Sequence, residues 1–107
     1  MEDIKEKLSV IQDAILNTVP AKLIYLFGSY AYGTPDKNSD IDIYAVIPDD
    51  FNENIPNTMG KITRYLGDFG IFFIDLFLVK EKDFSYYKEN SSFEDTICNK
   101  GILLYES

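Results

Sequence analysis

The sequence has no histidine and a single cysteine among its 107 residues. Without histidine, the chain alone has neither an imidazole general base nor a histidine ligand for zinc. Cys98 cannot form an internal disulfide, and the charged N-terminal segment MEDIKEKLSV lacks an apolar signal core, so we expect a cytoplasmic protein. Carboxylates remain the main source of acid–base and metal-binding groups.

Positive charge is also scarce, because 10 lysines and arginines face 18 aspartates and glutamates, for a net charge of −8. This balance disfavours nucleic acid as a partner, since such binding rests on a basic surface that displaces counterions. Clustered carboxylates still attract divalent cations, and a bound metal inverts the local charge so that an acidic pocket accepts phosphate. The acidity therefore leaves nucleotide binding open.

Long apolar runs are absent as well. The most apolar stretch, residues 71–79, carries Asp75 at its centre and is far shorter than the ~20 residues of a membrane helix. We therefore expect no membrane contact. Apolar residues make up 46% of the chain and are spread along its length, which predicts one folded domain over residues 1–107.

The spacing of apolar residues predicts alternating helices and strands. Residues 2–18 have the apolar stripe of an amphipathic helix that Pro20 ends, and residues 22–27 form a β-prone run before a turn-rich loop over residues 33–39. Further predicted elements are a strand from residue 40, a helix over 54–67, a strand over 71–79, one or two helices over 81–99, and a strand over 102–105. This order predicts an α/β sandwich with a mixed sheet.

Two details of this prediction are specific. The strand over residues 71–79 is apolar on both faces except at Asp75, which predicts a central strand covered by helices. Ser91 and Glu94 have the spacing of a capping box at a helix start.

One constellation of residues carries chemical information. Gly28 and Ser29 follow a predicted strand, and ten residues separate them from Asp40-Ile41-Asp42. Gly28 permits a sharp turn, and the amides and hydroxyl after it suit phosphate oxygens. Asp40 and Asp42 alternate onto one face of a strand, where they can share magnesium. Each motif alone also fits a simpler interpretation: a tight turn, or a solvated or capping acid pair.

Asp75 is harder to explain without a site, because a carboxylate within an apolar strand is costly to desolvate unless it is paired or bound to metal. It can complete a two-metal site and help to deprotonate an attacking hydroxyl. The structural alternative is an ion pair with Lys61, Arg64 or Lys80.

These motifs resemble those of the minimal nucleotidyltransferases of the DNA polymerase beta-like superfamily. The resemblance lies in LFGSYAYG at residues 26–33, SDIDI at 39–43 and IDL at 74–76, and the order of elements agrees over nearly the whole chain. It implies a two-layer nucleotidyltransferase fold with helices mainly on one face of a mixed sheet. It also implies that Gly28 and Ser29 contact the triphosphate of ATP or another NTP. Asp40, Asp42 and Asp75 would then act in catalysis and bind magnesium, with manganese as an alternative.

Stand-alone domains of this kind resemble the antitoxins of HEPN/MNT toxin–antitoxin pairs. The resemblance implies transfer of AMP to a tyrosine of a HEPN-type partner. A non-catalytic module that binds a nucleotide or the toxin, and a transferase acting on a small molecule, remain as alternatives, and self-association into a homo-oligomer is open. Many relatives carry arginine near the positions of Tyr30 and Tyr32, so Lys37 or Lys61 would have to assist with the triphosphate here. For Tyr30 and Tyr32 two interpretations stay open, stacking on a base or ribose and aromatic packing at a helix start.

Overall fold

A computed structural model of the chain describes residues 4–35 and 39–107, and four strands within these residues form one mixed sheet. The strands are β1 (Leu23–Phe27), β2 (Ile41–Ile47), β3 (Ile74–Lys80) and β4 (Ile102–Glu106). They lie in the order β3-β2-β1-β4; β2 and β3 are parallel, while β1 is antiparallel to both of its neighbours. The predicted α/β fold with a mixed sheet is confirmed.

Five helices complete the described chain, in the predicted order. They are α1 (Ile4–Thr18), α2 (Ser29–Tyr32), α3 (Ile55–Asp68), α4 (Glu81–Asn90) and α5 (Ser92–Lys100). The start of α3 follows from its sequence, because the Asn54 side chain accepts a hydrogen bond from the Asn57 N–H and Pro56 occupies the first turn. None of these helices has the length and apolar character that crossing a membrane requires.

The larger core lies between one face of the sheet and the two longest helices, α1 and α3. Its fully buried side chains include Ile11 and Ile15 from α1, Ile62 and Leu66 from α3, and Ile24 and Ile43 from the strands. Each such side chain contributes roughly 1.5–3 kcal/mol relative to an exposed position. This core fixes the register of β2, because a slip by one residue would turn Ile41 and Ile43 towards the other face.

A smaller and mostly aromatic core lies on the opposite face, beneath α4 and α5. It consists of Phe27, Tyr44 and Val46 from the strands, Phe84 from α4 and Ile97 from α5. The longer helices thus share one face, as expected, and the shorter pair adds a partial third layer. Asp42 belongs to this second face, because it alternates with Ile41 and Ile43 along β2.

The prediction that the strand over residues 71–79 is central is wrong. The strand begins at Ile74, and β3 is an edge of the described sheet. Ile71 instead packs into the larger core, while Phe72 and Phe73 are exposed. The apolar run therefore consists of a connection that buries only Ile71, followed by an edge strand, and composition alone does not separate the two.

The predicted capping box at α5 is also not formed. The Ser91 side chain makes no cap hydrogen bond, and Glu94 instead turns inward, where its Oε2 accepts a hydrogen bond of 2.8 Å from the buried Tyr44 hydroxyl. Burial, followed by the Glu94 carboxylate, raises the pKa of Tyr44. This contact connects α5 to the centre of the sheet and orients the aromatic core.

Tyr44→Phe should lower the free energy of unfolding by about 1–3 kcal/mol, because it leaves a buried Glu94 carboxylate without its donor. Replacing both residues, as Tyr44→Phe/Glu94→Leu, should recover much of that loss. Urea unfolding at pH 7 measures both effects, with Tyr86→Phe on the exposed face of α4 as control. Strictly additive losses in the double variant would show that the two side chains do not depend on each other.

Candidate active site

The predicted site residues meet at one end of the sheet. The antiparallel direction of β1 brings its last residue, Phe27, opposite Asp42, near the start of β2. The parallel pairing of β2 and β3 brings Asp75 opposite Asp42 on the other side. Gly28, directly after β1, and Asp40, directly before β2, lie at the same end. The fold thus gathers residues that are up to 47 positions apart in the sequence.

Asp42 and Asp75 form a close pair of carboxyl groups. Their side chains lie within hydrogen-bonding reach of each other, Asp42 is half-buried, and Asp75 and Asp40 are exposed. Burial raises the pKa of Asp42 to about 6, with further increases from the hydrogen bond and charge of Asp75 and from the charge of Asp40. The sequence-based expectation of a desolvated Asp75 is therefore wrong, and Asp42 is the acid that the fold buries.

Gly28 is required by its contact with Asp42. Its φ is +74°, a conformation that side chains rarely adopt, and a Cβ at this position would lie 2.0 Å from the Asp42 Oδ2. The Gly28 carbonyl accepts hydrogen bonds of 3.0 Å from the N–H groups of Ala31 and Tyr32, which begins the short helix α2 at Ser29. The glycine thus allows the backbone and the acid pair to approach each other closely.

The carboxylates fit a divalent cation as a partial ligand set. Within the described residues, no three acidic or cysteine side chains are arranged to hold a metal ion by themselves. Magnesium is commonly held by one or two carboxylates together with substrate phosphates and water, and not by a complete protein cage. The pair of like charges at Asp42 and Asp75 matches that requirement, with Asp40 at its margin.

The basic residues considered in the sequence are not brought to this pair by the described contacts. Lys61 lies 4.0 Å from Glu53 on the outer surface of α3, and Arg64 lines the same surface groove. Lys80 donates to the Phe51 carbonyl at 2.6 Å, so it holds a loop at the far end of β3. Lys37, the other candidate, lies outside the described residues.

Aromatic rings lie directly beside the acid pair, and sequence reasoning did not assign them to the site. The rings of Phe27, Phe77 and Phe93 contact one another with centroid separations of 5.4–5.7 Å. Phe77 follows Asp75 by two positions and so shares its face, which is a signal that the sequence does contain. The contribution of Phe93, from α5, could not be read from spacing.

The class of protein follows from comparison with known families. The chain matches the family model described as "Nucleotidyltransferase domain" over residues 5–104, and it belongs to this family.

Individual relatives are similar over different lengths. The Shewanella oneidensis protein adenylyltransferase MntA is 56% identical over 39 residues, a match that spans 36% of this chain and 27% of that protein. A chain of a toxin–antitoxin complex solved with AMP-PNP superposes with a TM-score of 0.61 at 26% identity, covering 92% of this chain and 73% of that one. A chain of the complex between the tri-AMPylated Shewanella oneidensis HEPN toxin and an MNT antitoxin superposes with a TM-score of 0.57 at 22% identity. This match covers 96% of this chain and 72% of that one. The last likeness concerns the fold alone.

Gly28→Ala should destabilise the chain by more than the ~1–3 kcal/mol typical of a strained backbone, because the new Cβ also collides with Asp42. Gly33→Ala is the matched control, since its φ is +83° but nothing lies within 4 Å of its Cβ. Thermal unfolding should rank Gly28→Ala as the less stable variant, and Asp42→Ala should partly rescue it. Equal losses at the two glycines would argue against the close contact.

Asp42→Asn should stabilise the metal-free protein at pH 8 and not at pH 4. Because the folded-state pKa of Asp42 is raised from 3.8 to about 6, the protonated folded state is favoured at low pH, and this stability is lost as pH rises through 6. The shift corresponds to about 3 kcal/mol, which solvent screening of this half-buried carboxylate reduces to about 1 kcal/mol.

Denaturant unfolding in the presence of a chelator measures this difference at the two pH values, with Asp13→Asn on the exposed surface of α1 as control. A stabilisation of equal size at pH 4 and pH 8 would contradict the assignment.

Proposed function

We propose that this chain transfers AMP from ATP to a tyrosine hydroxyl of a HEPN-type toxin partner and thereby acts as an antitoxin. The observation that carries the proposal is the convergence of Asp42 and Asp75 beneath Gly28, where only a glycine fits. Membership of the nucleotidyltransferase family supports the reaction class. The similarity to a protein adenylyltransferase supports AMP transfer and a protein acceptor.

Each site residue has a role in this proposal. Asp40, Asp42 and Asp75 hold magnesium, or manganese in its place, together with the phosphates of the nucleotide. When bound, the metal neutralises charge that develops on the phosphate oxygens. Gly28 gives the phosphates access to the backbone after β1, and Ser29 donates its hydroxyl to a phosphate oxygen. Through the metal, the carboxylates would thus bind a polyanion that they would repel by themselves.

The transfer is a single displacement at the α-phosphorus. The acceptor oxygen forms a bond to this phosphorus while the bond to the bridging oxygen breaks, and pyrophosphate leaves in line. Asp75 accepts the proton of the attacking hydroxyl, because it is the exposed member of the pair and is reached from solvent. The half-buried Asp42 stays oriented beside Asp75 and would hold the metal to which the nucleotide phosphates bind.

A protein acceptor fits the chain better than the alternatives. The net charge of −8 disfavours an RNA or DNA acceptor, since little basic surface is available to hold a second polyanion. The described residues form one four-stranded sheet with its helices, and among them no second lobe lies beside the acids to grip a small-molecule acceptor. An acceptor that brings its own binding surface meets both constraints. The expected cytoplasmic location and self-association stay predictions.

The main rival is a binding module that neutralises its partner without turning over nucleotide. The two functions differ in what happens to ATP: the enzyme releases pyrophosphate and leaves AMP on the partner, and the module does neither. The close acid pair favours a metal and nucleotide site over a module that only binds its partner, because gathering like charges gains nothing without a cation, and the fate of ATP then separates turnover from binding.

Incubation with ATP, magnesium and a co-encoded HEPN partner should add one or more AMP units to the partner, seen by intact-mass spectrometry. Asp40→Asn/Asp42→Asn should abolish metal-dependent ATP binding as well as transfer. Asp75→Asn should retain much of the ATP binding while transfer falls roughly 100-fold or more, because the proton acceptor is lost.

Asp13→Asn serves as the control, since Asp13 lies on the exposed surface of α1 away from the site. Wild-type transfer by Asp75→Asn would remove Asp75 from the mechanism. Intact ATP together with tight partner binding would favour the non-catalytic module. Efficient modification of a small alcohol, with none of the partner, would keep the reaction class and reject the antitoxin role.

A further inference from the structure

Two phenylalanine rings are partly open to solvent beside the acid pair. Phe77 on β3 is 41% exposed and Phe93 on α5 is 40% exposed, and their ring centroids lie 5.6 Å apart. Both contact Phe27, which is buried, and both pack against Tyr44, which is fully buried. Buried aromatic side chains thus support two rings whose outer faces are exposed to solvent. We call Phe77 and Phe93 the aromatic platform.

The platform is held in place by contacts that do not depend on ligand. Tyr44 stacks on Phe77 with an interplanar angle of 12° and a centroid distance of 6.2 Å. Its hydroxyl donates to Glu94, the residue that directly follows Phe93, so α5 is fixed against β2. Rings anchored in this way lose little side-chain entropy when a flat ligand stacks on them.

The platform lies at a defined distance from the acids. Phe77 is two residues beyond Asp75 on the same strand face, a separation of about 7 Å along β3, and its register partner Tyr44 is two residues beyond Asp42. The surface next to a strongly acidic pair is thus uncharged and aromatic. A ligand that spans both parts carries phosphates at one end and a flat neutral ring at the other.

We propose that the aromatic platform stacks the base of the nucleotide whose phosphates lie at Asp42 and Asp75. This inference rests on the proposed nucleotide site and adds to it the place of the base. A ribose separates the base from the α-phosphate, which matches the separation between the acids and Phe77. Stacking accepts any base, and the two rings offer most contact area to a purine.

The acceptor tyrosine is the other aromatic group that could use these rings. Its attacking oxygen is bonded directly to the ring, so that ring stays next to the acids during transfer and does not extend to the platform. The base therefore fits the observed separation better, and the acceptor becomes an outcome of the test.

The test compares the binding of ATP with that of inorganic tripolyphosphate, which has the phosphates but no base. Phe77→Leu and Phe93→Leu keep apolar volume and remove the aromatic face, so each should weaken magnesium-dependent ATP binding about tenfold in calorimetry. Tripolyphosphate should bind as to the wild type. Phe93→Tyr keeps the aromatic face and should retain wild-type ATP affinity. Phe72 is an exposed phenylalanine outside the platform, so Phe72→Leu should leave ATP affinity unchanged.

The possible outcomes separate this inference from the proposed function. ATP binding at the wild-type level in both leucine variants would overturn the platform alone, as would an equal loss of ATP and tripolyphosphate affinity. Unchanged ATP affinity with a raised KM for the acceptor would assign the rings to the acceptor instead. A wild-type protein that binds neither ATP nor tripolyphosphate would overturn the nucleotide site and the platform together.

Discussion

The parallel register between β2 and β3 determines the site, because it sets Asp42 and Asp75 side by side. Burial and the neighbouring Asp75 carboxylate both disfavour the charged form of Asp42, and its raised pKa reflects that unfavourable energy. The register persists because the larger core fixes Ile41 and Ile43 on the opposite face. The apolar packing on one face of the sheet thus stabilises an arrangement of charges on the other that would be unfavourable by itself.

The parts of this structure that local patterns determine could be predicted from the sequence. The stripe of apolar residues in α1, the alternation that turns Asp40 and Asp42 to one face, and the start of α3 at Asn54 all depend on near neighbours in the chain. The meeting of Gly28 with the acids was expected from motif spacing and resemblance. The spacing could not reveal why position 28 requires glycine, because the collision with Asp42 depends on the pairing of β1 with β2.

Features that depend on distant residues were missed or wrongly predicted. The run at residues 71–79 predicts a buried strand by composition, yet it includes exposed phenylalanines and an edge strand, since exposure depends on which elements pack nearby. Ser91 and Glu94 have the spacing of a capping box, but the Glu94 carboxylate instead accepts a hydrogen bond from Tyr44, 50 positions away. Phe93 reaches the site because that contact and the buried Ile97 hold α5 against the sheet.

The position of β3 at the edge of the sheet has a steric consequence for whatever substrate approaches Asp75. An inner strand has a paired strand on each side, whereas β3 is paired only with β2 within the described sheet, and Asp75 on it is exposed. Under the proposed function, a hydroxyl on the surface of a folded partner can therefore approach Asp75 from the side of the sheet that has no further described strand. Such an approach requires neither the partner to unfold nor this domain to open.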